Sequence, residues 1–96
     1  MTDEPLITVL IPTPLRRFTN GQAKVGATGG TISELLDALD REFPGLSEQV
    51  REPDGRLRRF VNVFVNGANA REQEGAETAV KPGDEVGIIP AMAGGE

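Results

Sequence analysis

The sequence predicts an α+β domain, a small sheet of about five strands with one helix lying across it. Three observations predict it. Runs of β-branched and aliphatic residues recur along the chain, separated by Gly, Pro and Asn. One stretch, 31–43, carries apolar residues at helical spacing behind a capping signal. The 96 residues are enough for one domain with a modest single core and no covalent staples. A lone amphipathic helix buries its stripe only by covering a sheet, so the three observations converge.

The elements follow in order. Leu6 to Ile11 is a β-branched run that stops at Pro12, the expected first strand. Alternation puts Ile7, Val9 and Ile11 on one face and Thr8 and Leu10 on the other. Residues 13–22, with Pro14, Asn20-Gly21 and two arginines, read as a connection. Residues 22–27 form a weaker strand that makes a hairpin with the first. Gly29-Gly30 breaks the chain, and Thr31-Ile32-Ser33-Glu34 is a capping box with Thr31 as N-cap. Ile32, Leu35, Leu36, Leu39 and Phe43 fall on one helical stripe that Pro44-Gly45 ends. Glu34, Asp37, Asp40 and Glu42 are its solvated side. Leu46 and Val50 pack in a short helical turn within an otherwise irregular stretch to Gly55. Phe60 to Val65 is the clearest strand, and Asn66-Gly67 after it is a strong hairpin signal. Ala68 to Arg71 is the return strand, 73–82 a connection, Gly83-Asp84 a turn, and Glu85 to Ile89 the last strand.

Composition narrows the function. The chain has no cysteine and no histidine, so it offers no disulfide framework, no thiolate nucleophile and no zinc site of its own. General acid–base work would fall to perturbed carboxylates or lysines, and none cluster in the sequence. No stretch approaches a membrane span, and Met1-Thr2-Asp3-Glu4-Pro5 is acidic rather than a basic-then-apolar signal, so a cytoplasmic protein is expected. A net charge of −5 argues against nucleic acid and suits docking on a basic partner.

With no constellation in the body, attention moves to the terminus. Pro90-Ala91-Met92-Ala93-Gly94-Gly95 follows the apolar run Val86-Gly87-Ile88-Ile89. Proline without an amide donor, then small residues, cannot continue a strand. The division expected is a folded body over residues 1–90 and a flexible tail over 91–96. Six extended residues reach roughly 20 Å, enough to enter a partner's active site while the body docks outside.

The stretch PGDEVGIIPAMAGG, with IPTPLRRFTNGQ near the start and RFVNVFVNG in the middle, resembles the ThiS/MoaD family of sulfur carrier proteins, most of all its CysO branch. The resemblance implies a ubiquitin-like β-grasp fold, with a mixed sheet whose first and last strands lie parallel in the middle. It implies a protein cosubstrate, not an enzyme: Gly95, with Gly94 before it, would be adenylated and then converted to a thiocarboxylate. The partners implied are a ubiquitin-activating-enzyme-like adenylating enzyme that uses ATP and a sulfur-accepting enzyme such as a PLP-dependent cysteine synthase. No cofactor would be bound by this chain. Two glycines suit the role because a terminus without side chains threads a narrow channel.

Glu96 departs from the pattern, since an amide to Glu96 blocks the Gly95 carboxyl. In related carriers a JAMM-type zinc metalloprotease removes such residues, which implies a proform cut between Gly95 and Glu96. Three alternatives stay open: a molybdopterin synthase small subunit, a ubiquitin-like modifier joined to target lysines, and a β-grasp interaction module with an inert tail.

A surface is the second candidate site. If Val61, Val63 and Val65 face the helix, then Phe64, Phe60, Leu10 and Ile89 fall on the sheet's open face, where polar residues are expected. Such a patch, with Pro90, Ala91, Met92 and Ala93 beyond it, reads as partner-binding. The other reading is a second small core under the long connections. Arg56, Arg58 and Arg59, with Arg16 and Arg17, make a basic cluster, either a solvated strand entrance or an edge for an acidic partner.

Overall fold

The alternation of Ile7, Val9 and Ile11 with Thr8 and Leu10 is realised as β1 (Ile7–Leu10), with the three aliphatic residues at 1% exposure or less. The computed structural model describes residues 6–90. β1 pairs antiparallel with β2 (Lys24–Ala27), completing the expected hairpin. The connection between them is more ordered than a plain loop: Thr13–Phe18 winds as a 3-10 helix, with Leu15 N–H donating to Pro12 C=O at 2.9 Å. Pro14 near its start suits the tight turn, and burial of Leu15 gives the segment a reason to be ordered.

Helix α1 (Ile32–Glu42) starts where the capping signal stands. Thr31 Oγ1 accepts from Glu34 N–H at 3.1 Å, and Glu34 Oε1 reaches back to accept from Gly30 N–H at 2.8 Å, one residue before the N-cap. Ile32, Leu35, Leu36 and Leu39 are all at 2% exposure or less, each worth about 1.5–3 kcal/mol of transfer free energy. Phe43 ends the helix, and Asp40 Oδ1 accepts from Gly45 N–H at 3.0 Å across the turn that follows. Leu46 and Val50 flank a short 3-10 turn, Ser47–Gln49, and are fully buried.

β3 (Val61–Val65) turns at Asn66 and Gly67, which take φ of 51° and 89° as a two-residue hairpin of the primed type requires. The return strand expected to reach Arg71 stops earlier: β4 is Ala68–Asn69. Asn69 Oδ1 accepts from Arg71 N–H at 2.9 Å and turns the chain into a 3-10 turn, Ala70–Glu72. A second such turn, Gly75–Glu77, lies in the stretch anticipated as a connection. β5 (Glu85–Pro90) is one residue longer than expected, with Pro90 in register with Val61.

The sheet order is β2-β1-β5-β3-β4. β1 and β5 are the parallel central pair, and the other pairings are antiparallel. One face packs on α1 through Ile7, Val9, Val61, Val63, Val86 and Ile88. Among the described residues no helix is long and apolar enough to cross a membrane.

Candidate functional site

Cross-strand register arranges the open face in rows. Lys24 pairs with Leu10, Leu10 with Gly87, Gly87 with Phe64, and Phe64 with Asn69, so five residues from five strands form one line across the sheet. Two residues further along β5, Ile89 pairs with Asn62, and Asn62 Oδ1 accepts from Arg71 Nε at 3.2 Å. Two residues back, Glu85 pairs with Thr8, and Thr8 with Gly26.

The anticipated patch residues sit here unevenly. Ile89 is 53% exposed on β5. Phe60 is 57% exposed but lies in the turn before β3 rather than in the strand. Leu10 and Phe64 are half-buried, and Pro90 is half-buried at the end of β5. Ala91, Met92, Ala93, Gly94, Gly95 and Glu96 lie outside the described residues.

Gly87 is the residue that sequence reasoning missed. It stands between Leu10 and Phe64, whose backbones are about 10 Å apart at ordinary strand spacing. A Cβ added at Gly87 would meet nothing within 4 Å. Gly26, the other strand glycine on this face, is covered: Leu6 Cδ1 lies 2.7 Å from where its Cβ would be. A signal was present, a glycine inside an apolar strand and in phase with Ile89.

Two arginines of the anticipated basic cluster are neutralised locally. Arg56 pairs with Asp54 at 3.0 Å and Arg58 with Glu52 at 3.1 Å. Arg16 Nε donates to Ile11 C=O, and Arg17 lies 5.0 Å from the Phe18 ring centre. Arg59 lies 5.7 Å from the Phe60 ring centre. Arg71 also donates to the backbone carbonyls of Arg58 and Val61, which holds the entry to β3. Arg59, Arg71 and Lys24 pair with no carboxylate among the described residues. Among those residues no group of three or more Asp and Glu is placed to hold a metal ion. A depression of about 810 Å³ between Glu52–Arg59 and Glu74–Glu77 is lined by both signs of charge and brings together no nucleophile with a base.

A mixed five-strand sheet with a parallel central pair and one helix on one face defines a ubiquitin-like β-grasp protein. The sequence pattern of the ThiS family matches residues 9–95. The chain belongs to the ThiS family. It is 44% identical over 91 residues to the sulfur carrier protein CysO of Mycobacterium tuberculosis, covering 93% of this chain and 98% of that one. Its fold is similar to the structure of the Amycolatopsis orientalis BexX/CysO complex at a TM-score of 0.88 and 40% identity, over 93% of this chain and 99% of the other. It is also similar to small archaeal modifier protein 1 of Methanosarcina acetivorans, at a TM-score of 0.79 and 28% identity, over 98% of this chain and 100% of that one. The chain is thus CysO-like, of a small carrier type and not an enzyme.

Proposed function

We propose that this chain is a sulfur carrier whose Gly95 carboxyl, freed by removal of Glu96, is converted to a thiocarboxylate. The observation that carries the reading is the extent of the family match, which runs through the diglycine and ends at Gly95, one residue short of Glu96. In the reaction, the Gly95 carboxylate attacks the α-phosphorus of ATP on an adenylating enzyme, releases pyrophosphate and becomes an acyl-adenylate. A sulfur nucleophile then attacks the acyl carbon and AMP leaves. Neither step needs a group in the body of this chain; the body supplies recognition and the tail supplies reach. A JAMM-type zinc metalloprotease would cut the Gly95–Glu96 bond, in the cytoplasm where ATP is available. Likeness to CysO supports cysteine as the product, with sulfur delivered to an activated serine on a PLP-dependent synthase.

The test is the intact mass of the protein recovered from its native host. Loss of one glutamyl residue, with sulfur replacing one oxygen in part of the sample, is the expected result. A full-length mass under active sulfur metabolism would defeat the reading. A second reading, conjugation of Gly95 to target lysines, is supported by the likeness to an archaeal modifier protein. It predicts branched peptides at lysine in lysate digests and no thiocarboxylate.

A further inference from the structure

We propose that Lys24 is a modification site for the chain's own terminus: when no sulfur source meets the Gly95 adenylate, the Lys24 amine takes the acyl group and closes a ring. The inference rests on the carrier reading above, which supplies the electrophile, and gives that electrophile a second fate. Amines compete with sulfur for an activated acyl carbon, and this chain holds few. It has no cysteine, and of its ten basic residues only Lys24 and Lys81 are lysines, the α-amine being the one further candidate. The other eight are arginines, whose guanidinium stays protonated and does not attack an acyl carbon.

Reach separates the two lysines. Lys24 pairs with Leu10 and Leu10 with Gly87, so Lys24 stands two strand spacings, about 10 Å, from β5. Pro90 lies three residues beyond Gly87, about 10 Å further along the strand. The two offsets are perpendicular and combine to about 14 Å between Lys24 and Pro90. The five residues from Pro90 to Gly95 span at most about 17 Å, and the four-carbon lysine stem adds to that, which leaves length to turn back from the strand direction. Val25 is buried in the core, so its neighbour Lys24 rises from the open face, over which the path runs. Lys24 is exposed on the edge strand β2 and pairs with no carboxylate among the described residues. Lys81 is placed otherwise: its Nζ lies 3.5 Å from Asp84 Oδ1, at the turn before β5. Asp84 is six residues before Pro90, about 20 Å down the strand, farther than the five terminal residues extend even without a turn.

The step is aminolysis. The lone pair of Lys24 Nζ attacks the Gly95 carbonyl carbon and forms the C–N bond. The bond from that carbon to the phosphate oxygen breaks, AMP leaves with its electron pair, and the proton shed by nitrogen passes to water. The product is lighter than the chain ending at Gly95 by one water and holds an isopeptide ring from residue 24 to residue 95. A short tether keeps the amine at an effective concentration of order millimolar, above that of a lysine on another protein at micromolar concentration. The ring has no free terminal carboxyl, so it withdraws the carrier from a second adenylation.

The test activates the chain ending at Gly95 and withholds sulfur. The host's adenylating enzyme and ATP form the adenylate, followed by ATP–pyrophosphate exchange. In parallel, a Gly95 thioester released from an intein fusion supplies the acyl group without the enzyme. The expected product of both is a species lighter than the chain ending at Gly95 by one water, with a Lys24–Gly95 crosslink in the peptide map. Its yield does not depend on protein concentration, as a link within one chain requires. Lys24→Arg abolishes it at an unchanged thermal midpoint, because the side chain is exposed and keeps its charge. Lys81→Arg leaves it in place, and excess sulfide replaces it with thiocarboxylate. Exchange with no ring from the adenylate overturns the inference and leaves the carrier reading intact. A crosslink at Lys81, at the α-amine or between chains overturns it as well. Ring closure by the thioester without any exchange keeps the assignment of Lys24 and defeats the carrier reading. Neither exchange nor a ring overturns both.

Discussion

Asn66 Nδ2 donates to Asp84 Oδ1 at 3.0 Å, which locks the hairpin turn after β3 to the turn before β5. The same Asn66 accepts at Oδ1 from Glu85 N–H at 2.9 Å, and Asp84 Oδ2 accepts from Lys81 N–H at 2.9 Å. Asp84 is buried, and the hydrogen bond from Asn66, then that from Lys81 N–H, hold its carboxyl below the ordinary aspartate value. A depressed folded-state pKa stabilises the fold above the unfolded value of 3.8, and the stabilisation is lost as pH falls through the folded value. We predict that the thermal midpoint falls with pH below about 4 and that Asp84→Asn flattens this dependence. At pH 7 the variant is destabilised by about 2 kcal/mol, the scale for hydrogen bonds to a charged group. Thermal melts of both proteins across the acid range check the sign; an unchanged slope in the variant would remove Asp84 from the account.

The cap on α1 gives a second prediction. Thr31 Oγ1 satisfies the Glu34 N–H, which would otherwise lack a partner in the first turn. We expect Thr31→Ala to cost about 1 kcal/mol and Thr31→Ser much less. Urea midpoints decide it, and equal midpoints for the three proteins would mean that water replaces the cap.

Much of this fold could be read because local chemistry and global packing agree. The 31–43 stripe, its Thr31 cap and its Pro44-Gly45 stop are written in contiguous residues, and all appear in the structure. Asn66-Gly67 likewise determines its own turn. Strand order came from family resemblance alone, because no local pattern says that β5 inserts between β1 and β3. The early stop of β4 was hidden in one side chain, since Asn69 bonds to Arg71 N–H and diverts the chain. The open face was legible as a patch through Phe60 and Ile89. The place of Gly87 in it was not, because register alone puts Leu10 and Phe64 on either side of that glycine.

A third prediction concerns the diglycine. If Gly95 must thread a narrow channel, a methyl group there obstructs it while leaving the body untouched. We predict that Gly95→Ala, in a chain ending at residue 95, keeps the wild-type thermal midpoint and yields little thiocarboxylate with the adenylating enzyme and a sulfur donor. Normal yield by mass spectrometry would refute the channel argument and leave the diglycine without a steric reason.

The last prediction separates the docking role of the aromatic residues from their packing. Phe60 is 57% exposed in the turn before β3, whereas Phe64 is half-buried between Gly87 and Asn69. A charge at Phe60 remains solvated, so we expect Phe60→Asp to change stability by no more than about 0.5 kcal/mol. Phe64→Asp gives up most of a phenylalanine's burial and brings a carboxylate over the sheet, a loss of about 2–3 kcal/mol. Both should weaken partner binding, because both replace apolar surface with a charge. The decisive comparison is Phe60→Asp, in which stability is held and affinity alone moves. If calorimetry shows wild-type affinity for Phe60→Asp and a loss only for Phe64→Asp that tracks its lower melting temperature, the patch is a packing feature and the partner docks elsewhere.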